Sequence, residues 1–296
     1  MRVLVSGSTA SSARRSSALP AAGHEPVRPV RGAAPDDLLT LRDPAAIFPD
    51  GLSDIDAVVH LAGEGIAERR WTKAQKARIL DSRVQGTTVL ATAMATCAHP
   101  PSVLLSGSAI GYYGDRGGET LTEARGAGSG FLASVAQAWE SATAPASAAG
   151  VRVAHLRTGI VLAAHGGALA SQLPLFRLGL GGRIGDGRQW WSWVALEDTV
   201  AALVWLLDHA VDGPVYLSAP TPVTNADFTR TLGRVLRRPT ALPTPKLGPR
   251  IRLGRELAEE LLYTSARVVP AALESSGFVF AHPELQSALR ATLTTG

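Results

Sequence analysis

The first thirty-one residues constrain the chain most, because they read as strand, glycine turn, helix and second strand. Arg2-Val3-Leu4-Val5-Ser6 is a short β-branched run that Gly7 ends at once, and Val27 to Val30 is a second apolar segment followed by Arg31. A strand that breaks into a helix N-terminus makes an anion site, since unpaired backbone N–H groups and the helix dipole both face the ligand. A dinucleotide-binding βαβ unit carries three glycines in this turn. Here Gly7 is followed by Thr9, Ala10 and Ala13, so two of the three are replaced. The helix is irregular as well: Ser11, Ser12, Ser16 and Ser17 surround Arg14-Arg15 with little apolar periodicity, and Pro20 interrupts it.

Codon arithmetic offers a source for the irregularity. A conventional turn after Thr9 would read Gly-Leu-Ile-Gly-Ser-Ala-Leu-Val, in GC-rich codons GGC CTC ATC GGC TCG GCG CTC GTC. Removing the first G and reading on gives GCC TCA TCG GCT CGG CGC TCG TCC. That translates as Ala-Ser-Ser-Ala-Arg-Arg-Ser-Ser, the run from Ala10 to Ser17. GC-rich coding agrees with a chain whose only lysines are Lys73, Lys76 and Lys246. The run therefore reads either as a frameshifted cofactor loop or as drift in a loop that binds nothing. Resequencing the DNA across these codons separates the two.

At 296 residues and 46% apolar, the chain suits one large α/β domain with an appendage, or two domains. A single cysteine, Cys97, excludes a disulfide framework and a Cys-rich metal site, and reads as a buried or half-buried helix residue. No His/Asp/Glu spacing suggests a metal. The net charge of +4 is scattered in pairs such as Arg69-Arg70 and Arg237-Arg238, which argues against a nucleic-acid face. No apolar run approaches the roughly 18–20 residues of a membrane span, and the N-terminus has no signal-peptide pattern. The cytoplasm is the expected compartment, with no membrane partner.

Ile55 to Ala62 reads as a buried parallel strand, whose end should bring Ala62-Gly63-Glu64 beside a ligand crevice. Thr72 is an N-cap candidate for a long helix to Cys97. Ser102 to Ser106 is the next strand, delivering Ser106 to Gly114 into the same crevice. Phe131 to Ser147 is expected as helix with its end broken by Pro145, Val151 to Leu156 as strand, and the glycine-rich stretch from Gly166 to Gly187 as a loop. Glu197-Asp198 opens a helix through Leu207, and Val215 to Ser218 is a last strand. The expected fold is α/β, a Rossmann doubly wound parallel sheet over residues 1–219, with a small α-rich substrate-side lobe over 220–296.

Several segments together resemble one family: Leu61-Ala62-Gly63-Glu64, Arg69-Arg70-Trp71, Ser82-Arg83, Ser108-Ala109-Ile110-Gly111-Tyr112-Tyr113-Gly114 and Arg157-Thr158-Gly159-Ile160-Val161-Leu162. Gly166-Gly167-Ala168, Phe176 to Gly182, Gln189, Trp193, Val269-Pro270 and Gly277 to Phe280 extend the match. The chain is similar to the atypical extended short-chain dehydrogenase/reductase branch described as "epimerase family protein", NAD-dependent epimerase/dehydratase-like, with a C-terminal domain of unknown function. The resemblance implies NADP(H). It places Gly7, Thr9, Ala10, Ala13, Val30, Arg31, Leu61, Ala62, Gly63, Arg83, Ser106 and Ile160 at the cofactor, with Arg78 a weaker candidate. Arg31 falls where the 2′-phosphate is met and an acidic residue would select NAD.

The superfamily's usual catalyst is a Tyr-x-x-x-Lys pair, in which lysine eases proton loss from tyrosine. Four residues beyond Tyr112, Tyr113, Tyr216 and Tyr263 stand Arg116, Gly117, Pro220 and Arg267, so no such pair exists. Leu132 and Ala136 occupy its approximate positions, and the resembled branch lacks it too. Ser108 remains the best polar group at the nicotinamide end, with Tyr112 and Tyr113 as acids or as packing against the glycine loop. Glu64 is a base or, preferably, a cap. Trp190, Trp191 and Trp193 either stack a ring or anchor the core, and His60 and His155 read as structural. Ala195 stands where the family tends to have His, and Tyr216 where it tends to have Asn. The expected function is an NADP(H)-binding oxidoreductase or epimerase-like protein acting on a small polar substrate. The alternative is a non-catalytic NADP(H)-binding sensor or partner-binding module. Oligomeric state is not legible.

Overall fold

The computed structural model describes residues 1–7, 18–27, 52–245 and 247–294. They fall into two compact units. The first takes in the described parts of 1–109 together with 134–157 and 203–215; the second takes in 110–133, 158–202 and the described residues from 216 onward.

The central sheet has six strands: β1 (Arg2–Ser6), β2 (Glu25–Val27), β3 (Ala57–His60), β4 (Val103–Ala109), β5 (Arg152–Thr158) and β6 (Gly213–Leu217). Their spatial order is β2-β1-β3-β4-β5-β6, the expected doubly wound parallel arrangement. The order reverses at β1, which is where such sheets open a ligand crevice at their strand C-termini. Register lines up those C-termini, with Ser6 opposite His60 and His60 opposite Ser106.

The first unit's core takes one apolar residue from each of four strands, Leu4, Val58, Leu104 and Val153. These pack with Leu90, Ala91 and Met94 of helix α1 (Lys73–Thr96). Buried residues at such i, i+1, i+4 spacing are what fix a helix on a sheet. Thr72 caps α1 as expected, its hydroxyl accepting from the Gln75 N–H at 3.1 Å. The helical stretch from Phe131 is broken ahead of Pro145, as expected: helix α2 covers Phe131–Ser141, and a separate short helix, Ala144–Ala148, follows with Pro145 in its first turn. Cys97 is half-buried just past α1.

The second unit has its own core around Leu162, Trp191, Trp193, Phe228, Leu232 and Leu289. The stretch from Gly166 to Gly187 departs from its expectation as a loop: Gly167–Arg177 is helical. Leu169, Leu173 and Phe176 give it a buried stripe at i, i+4, i+7, and that burial outweighs the local glycines. Past residue 220 the unit is α-rich, with helices at Asn225–Leu236 and Leu285–Thr294. Among the described residues no helix is long and apolar enough to cross a membrane, and no group of His, Cys, Asp and Glu could hold a metal ion.

Candidate functional site

The site in the first unit is built from the ends of β1, β3 and β4. Gly7 leaves β1 with φ +88°, and a Cβ there would lie 2.4 Å from the Ala62 nitrogen. Only glycine permits that approach. Leu61 N–H then donates to the Ser6 carbonyl at 3.1 Å, continuing the pairing past β3. Gly63 lies close under the Arg83 side chain: a Cβ there would meet its guanidinium carbon at 2.9 Å and push the arginine aside. Arg83, on α1, donates to the Glu64 carbonyl at 2.9 Å and lies over the Trp139 ring at 5.0 Å. Burial pulls Arg83 down to about 10, opposed by the Glu64 carboxylate. Glu64 itself accepts from the Gln75 side chain at 3.1 Å. Arg78 is exposed and hydrogen-bonds Gln75.

Beneath these ends runs a buried polar row. Ser6 Oγ pairs with His60 Nδ1 at 2.6 Å. His60 Nε2 and Ser106 Oγ are buried with no hydrogen-bond partner among the described residues. Burial lowers the imidazole of His60 to about 4, so it is neutral near pH 7.

The next residues along β4 carry the most distinctive arrangement. A Cβ at Gly107 would stand 2.6 Å from the Trp139 ring, so glycine lets α2 lie close against the strand. Trp139 is fixed there by its N–H bond to Thr87 Oγ1, 2.9 Å long. That packing brings Glu140, the next residue, to Ser108, whose hydroxyl donates to Glu140 Oε1 at 2.6 Å. Arg157 at the end of β5 grips the same carboxylate with two bonds of 2.8 Å, from Nε to Oε1 and from a terminal nitrogen to Oε2. Ser108 and Arg157 are 5% and 4% exposed. In so dry a place a bidentate, charge-assisted pair is strong, and losing one partner is costly. Thr143 donates to the Glu140 carbonyl at 2.7 Å, so its oxygen accepts from His155 Nε2 at 2.9 Å. His155 is lowered by burial, against the opposing effect of Glu140 and with Arg157 adding to it.

Chemically, the serine's proton is already directed at a carboxylate. Its oxygen lone pairs remain to accept a proton from a ligand hydroxyl, and Glu140 Oε1 is the place for the serine's own proton to go. Glu140 escaped the sequence reading although Trp139-Glu140 follows the helix positions searched for Tyr-x-x-x-Lys. Arg157 was legible only as part of a family-like run.

The remaining candidates belong to the second unit or fall outside the described residues. Tyr112 and Tyr113 belong to the second unit, where Tyr113 is fully buried and meets Tyr112 and Tyr216 edge-on, with ring centroids 5.1 and 5.7 Å apart. Ile160 is in the second unit too, its N–H donating to the Ser192 carbonyl at 2.8 Å. Thr9, Ala10, Ala13, Val30 and Arg31 lie outside the described residues, as does the run Ala10 to Ser17. The part of the dinucleotide cradle that is described fits such a ligand: a glycine at positive φ, aligned strand ends, and buried polar atoms without partners below them.

Comparison with known proteins gives consistent results. The model of the NAD dependent epimerase/dehydratase family matches residues 18–217, beginning one residue after the irregular run, and that of a domain of unknown function, DUF1731, matches 244–292. An epimerase family protein of Mycobacterium bovis is 44% identical over 275 residues, covering 92% of this chain and 90% of its own. The crystal structure of a human epimerase family protein with NADPH superposes with a TM-score of 0.90 over 100% of both chains, at 31% identity. A Corynebacterium glutamicum structure, described as a nucleoside-diphosphate sugar epimerase, gives a TM-score of 0.77 at 36% identity, covering 99% of this chain and 58% of that one.

Proposed function

From the premise that this chain belongs to the NAD dependent epimerase/dehydratase family, we propose that it is an NADP(H)-dependent oxidoreductase, epimerase-like in type. It acts on a small polar substrate bearing a hydroxyl or carbonyl. The observation that carries this reading is the buried Ser108–Glu140–Arg157 cluster on the C-terminal ends of β4 and β5. A bound nicotinamide supplies or takes the hydride in this family. The chain's own part is the proton: Ser108 Oγ accepts it from the substrate hydroxyl while the serine proton passes to Glu140 Oε1, and Arg157 steadies the carboxylate. The cluster thus takes the role of the absent Tyr-x-x-x-Lys pair.

Support for NADP(H) over NAD comes from the human relative solved with NADPH and from Arg31 at the end of the second apolar segment. The Corynebacterium glutamicum relative favours a nucleoside-diphosphate sugar as substrate. One observation favours the non-catalytic alternative with impaired cofactor binding: Ala10 and Ala13 add Cβ atoms where the backbone should approach a pyrophosphate.

Fluorescence titration with NADPH, with NADH as control, tests the reading on wild type and Ser108→Ala. The expected result is micromolar NADPH binding, preferred over NADH and unchanged by the substitution, with turnover lost in the variant. Absence of binding by the chain as written, restored on placing Gly-Leu-Ile-Gly-Ser-Ala-Leu-Val at positions 10–17, would assign the function to the repaired sequence alone.

A further inference from the structure

In the second unit, we propose that the end of the helix Gly167–Arg177 and the proline-rich segment 239–245 form a face that docks on an anionic lipid bilayer. This goes beyond the oxidoreductase reading and does not rest on it. Leu175, Leu178, Leu180 and Leu242 are 50%, 72%, 56% and 62% exposed. They are four of the seven large apolar side chains that stand open to water among the described residues. A single exposed leucine is ordinary, but four gathered in one place mark an interaction surface.

Backbone contacts hold the two segments side by side. Thr244 N–H donates to the Arg183 carbonyl at 2.8 Å, and Gly185 N–H donates to the Thr244 carbonyl at 3.3 Å. A Cβ at Gly179 would lie 3.4 Å from the Pro239 ring, and one at Gly182 would lie 1.6 Å from the Leu242 carbonyl oxygen. Leu180 N–H donates to the Leu175 carbonyl at 2.9 Å, which closes the helix end and keeps its leucines together. Leu169, Leu173 and Phe176 already supply the buried stripe of this helix, so Leu175, on another face, has no core to enter.

Charge decides the occupant. The chain has no Asp or Glu from 166 to 185 or from 228 to 255. Arg177, Arg183, Arg237 and Arg238 flank the leucines in the chain and are exposed, and none pairs with a carboxylate among the described residues. The acids that bound these stretches are engaged: Asp186 accepts from the Arg188 N–H at 3.1 Å, and Asp227 pairs with Arg230. A second copy of the chain would set arginines against arginines, which opposes association. An acidic peptide anchors in a groove, whereas leucines at least half exposed stand out from the surface. Protruding leucines among unmatched arginines suit a bilayer, where apolar side chains enter the acyl boundary and guanidinium groups meet lipid phosphates. The sequence expectation of no membrane partner rested on span length and signal pattern, and attachment to a membrane surface requires neither.

Vesicle co-sedimentation of the full chain tests this, comparing phosphatidylcholine alone with phosphatidylcholine containing about one-third phosphatidylglycerol. Wild type should bind the anionic vesicles about tenfold more tightly than the neutral ones, and high salt should weaken that binding. Leu178→Ser combined with Leu180→Ser should weaken it about tenfold. Arg177→Gln combined with Arg238→Gln should weaken it severalfold and flatten the salt dependence. Arg69→Gln combined with Lys73→Gln removes the same charge from exposed positions of the first unit and should leave binding within about twofold. Thermal melts check folding, and Leu178→Ser alone carries the test if the double variant is unfolded. Wild type that ignores anionic vesicles, binds neutral ones equally, or loses as much in the first-unit control would overturn the proposal, as would binding that survives the leucine substitutions. Polyglutamate binding without vesicle binding would give the face to an acidic protein instead, and a dimer abolished by the leucine substitutions, again without vesicle binding, to a second copy. No cofactor or substrate enters these readouts, so each outcome leaves the oxidoreductase reading where it stands.

Discussion

Arg157 and Arg267 are both half- or fully sequestered arginines at strand ends, yet the fold treats them differently. Arg157, in the first unit, has a carboxylate gripped at 2.8 Å by two nitrogens. Arg267, in the second, has an aromatic face at 4.2 Å and no ion-paired acid among the described residues. A matched arginine is part of the scaffold, and removing it strands a buried charge. An unmatched one adds little to folding.

Stability measurements give the sharpest break of that comparison. Arg157→Met should lose about 3–5 kcal/mol, because Glu140 is left buried without its cation. Arg267→Met should lose about 1 kcal/mol or less, the worth of a half-exposed cation–π contact. Urea unfolding of both variants checks this, and equal losses would show that Arg267 is structural after all.

The pH dependence probes His60, whose Nδ1 pairs with Ser6 while its buried Nε2 has no hydrogen-bond partner among the described residues. Its imidazole stands at about 4 in the fold against 6.5 for the free side chain. As pH falls, the unfolded chain takes up the proton first, so stability declines from about pH 6.5 to about pH 4 and then levels. The expected loss is about 3 kcal/mol. His60→Asn should flatten that slope in unfolding titrations near pH 7 and near pH 4.5; an unchanged slope would assign the acid sensitivity to other groups.

A pair of glycines gives the smallest contrast. Gly107→Ala pushes a Cβ toward the Trp139 ring, 2.6 Å away, and should cost about 1–3 kcal/mol while displacing Glu140 from Ser108. Gly118→Ala meets only the Trp190 nitrogen at 4.0 Å and should stay within about 0.5 kcal/mol. Thermal melts of the two rank them, and a costly Gly118→Ala would show that the face beside Trp190 is already filled.

Much of the first unit was legible because its signals are local. The run Arg2–Ser6, the buried strand before Leu61, the Thr72 cap and the long helix each depend on neighbours a few residues apart. The missing Tyr-x-x-x-Lys pair was legible by enumeration. The carboxylate that answers Ser108 was not, since Glu140 lies 32 residues further along and on a helix, and no spacing rule connects them. The three tryptophans were equally ambiguous in sequence; Trp193 is fully buried, whereas Trp190 meets Arg267. The glycine-rich stretch misled because glycine count speaks for a loop, while three buried side chains spaced along Gly167–Arg177 decide for a helix.

By itself, then, the sequence determined the α/β class, the family and the altered cofactor turn, because strand patterning, motif order and residue identity are properties of adjacent residues. Tertiary structure alone decided which charges are matched. Whether a carboxylate finds Arg157 or an indole finds Arg267 depends on side chains from separate elements meeting within hydrogen-bond or van der Waals distance, and chain order carries no record of that.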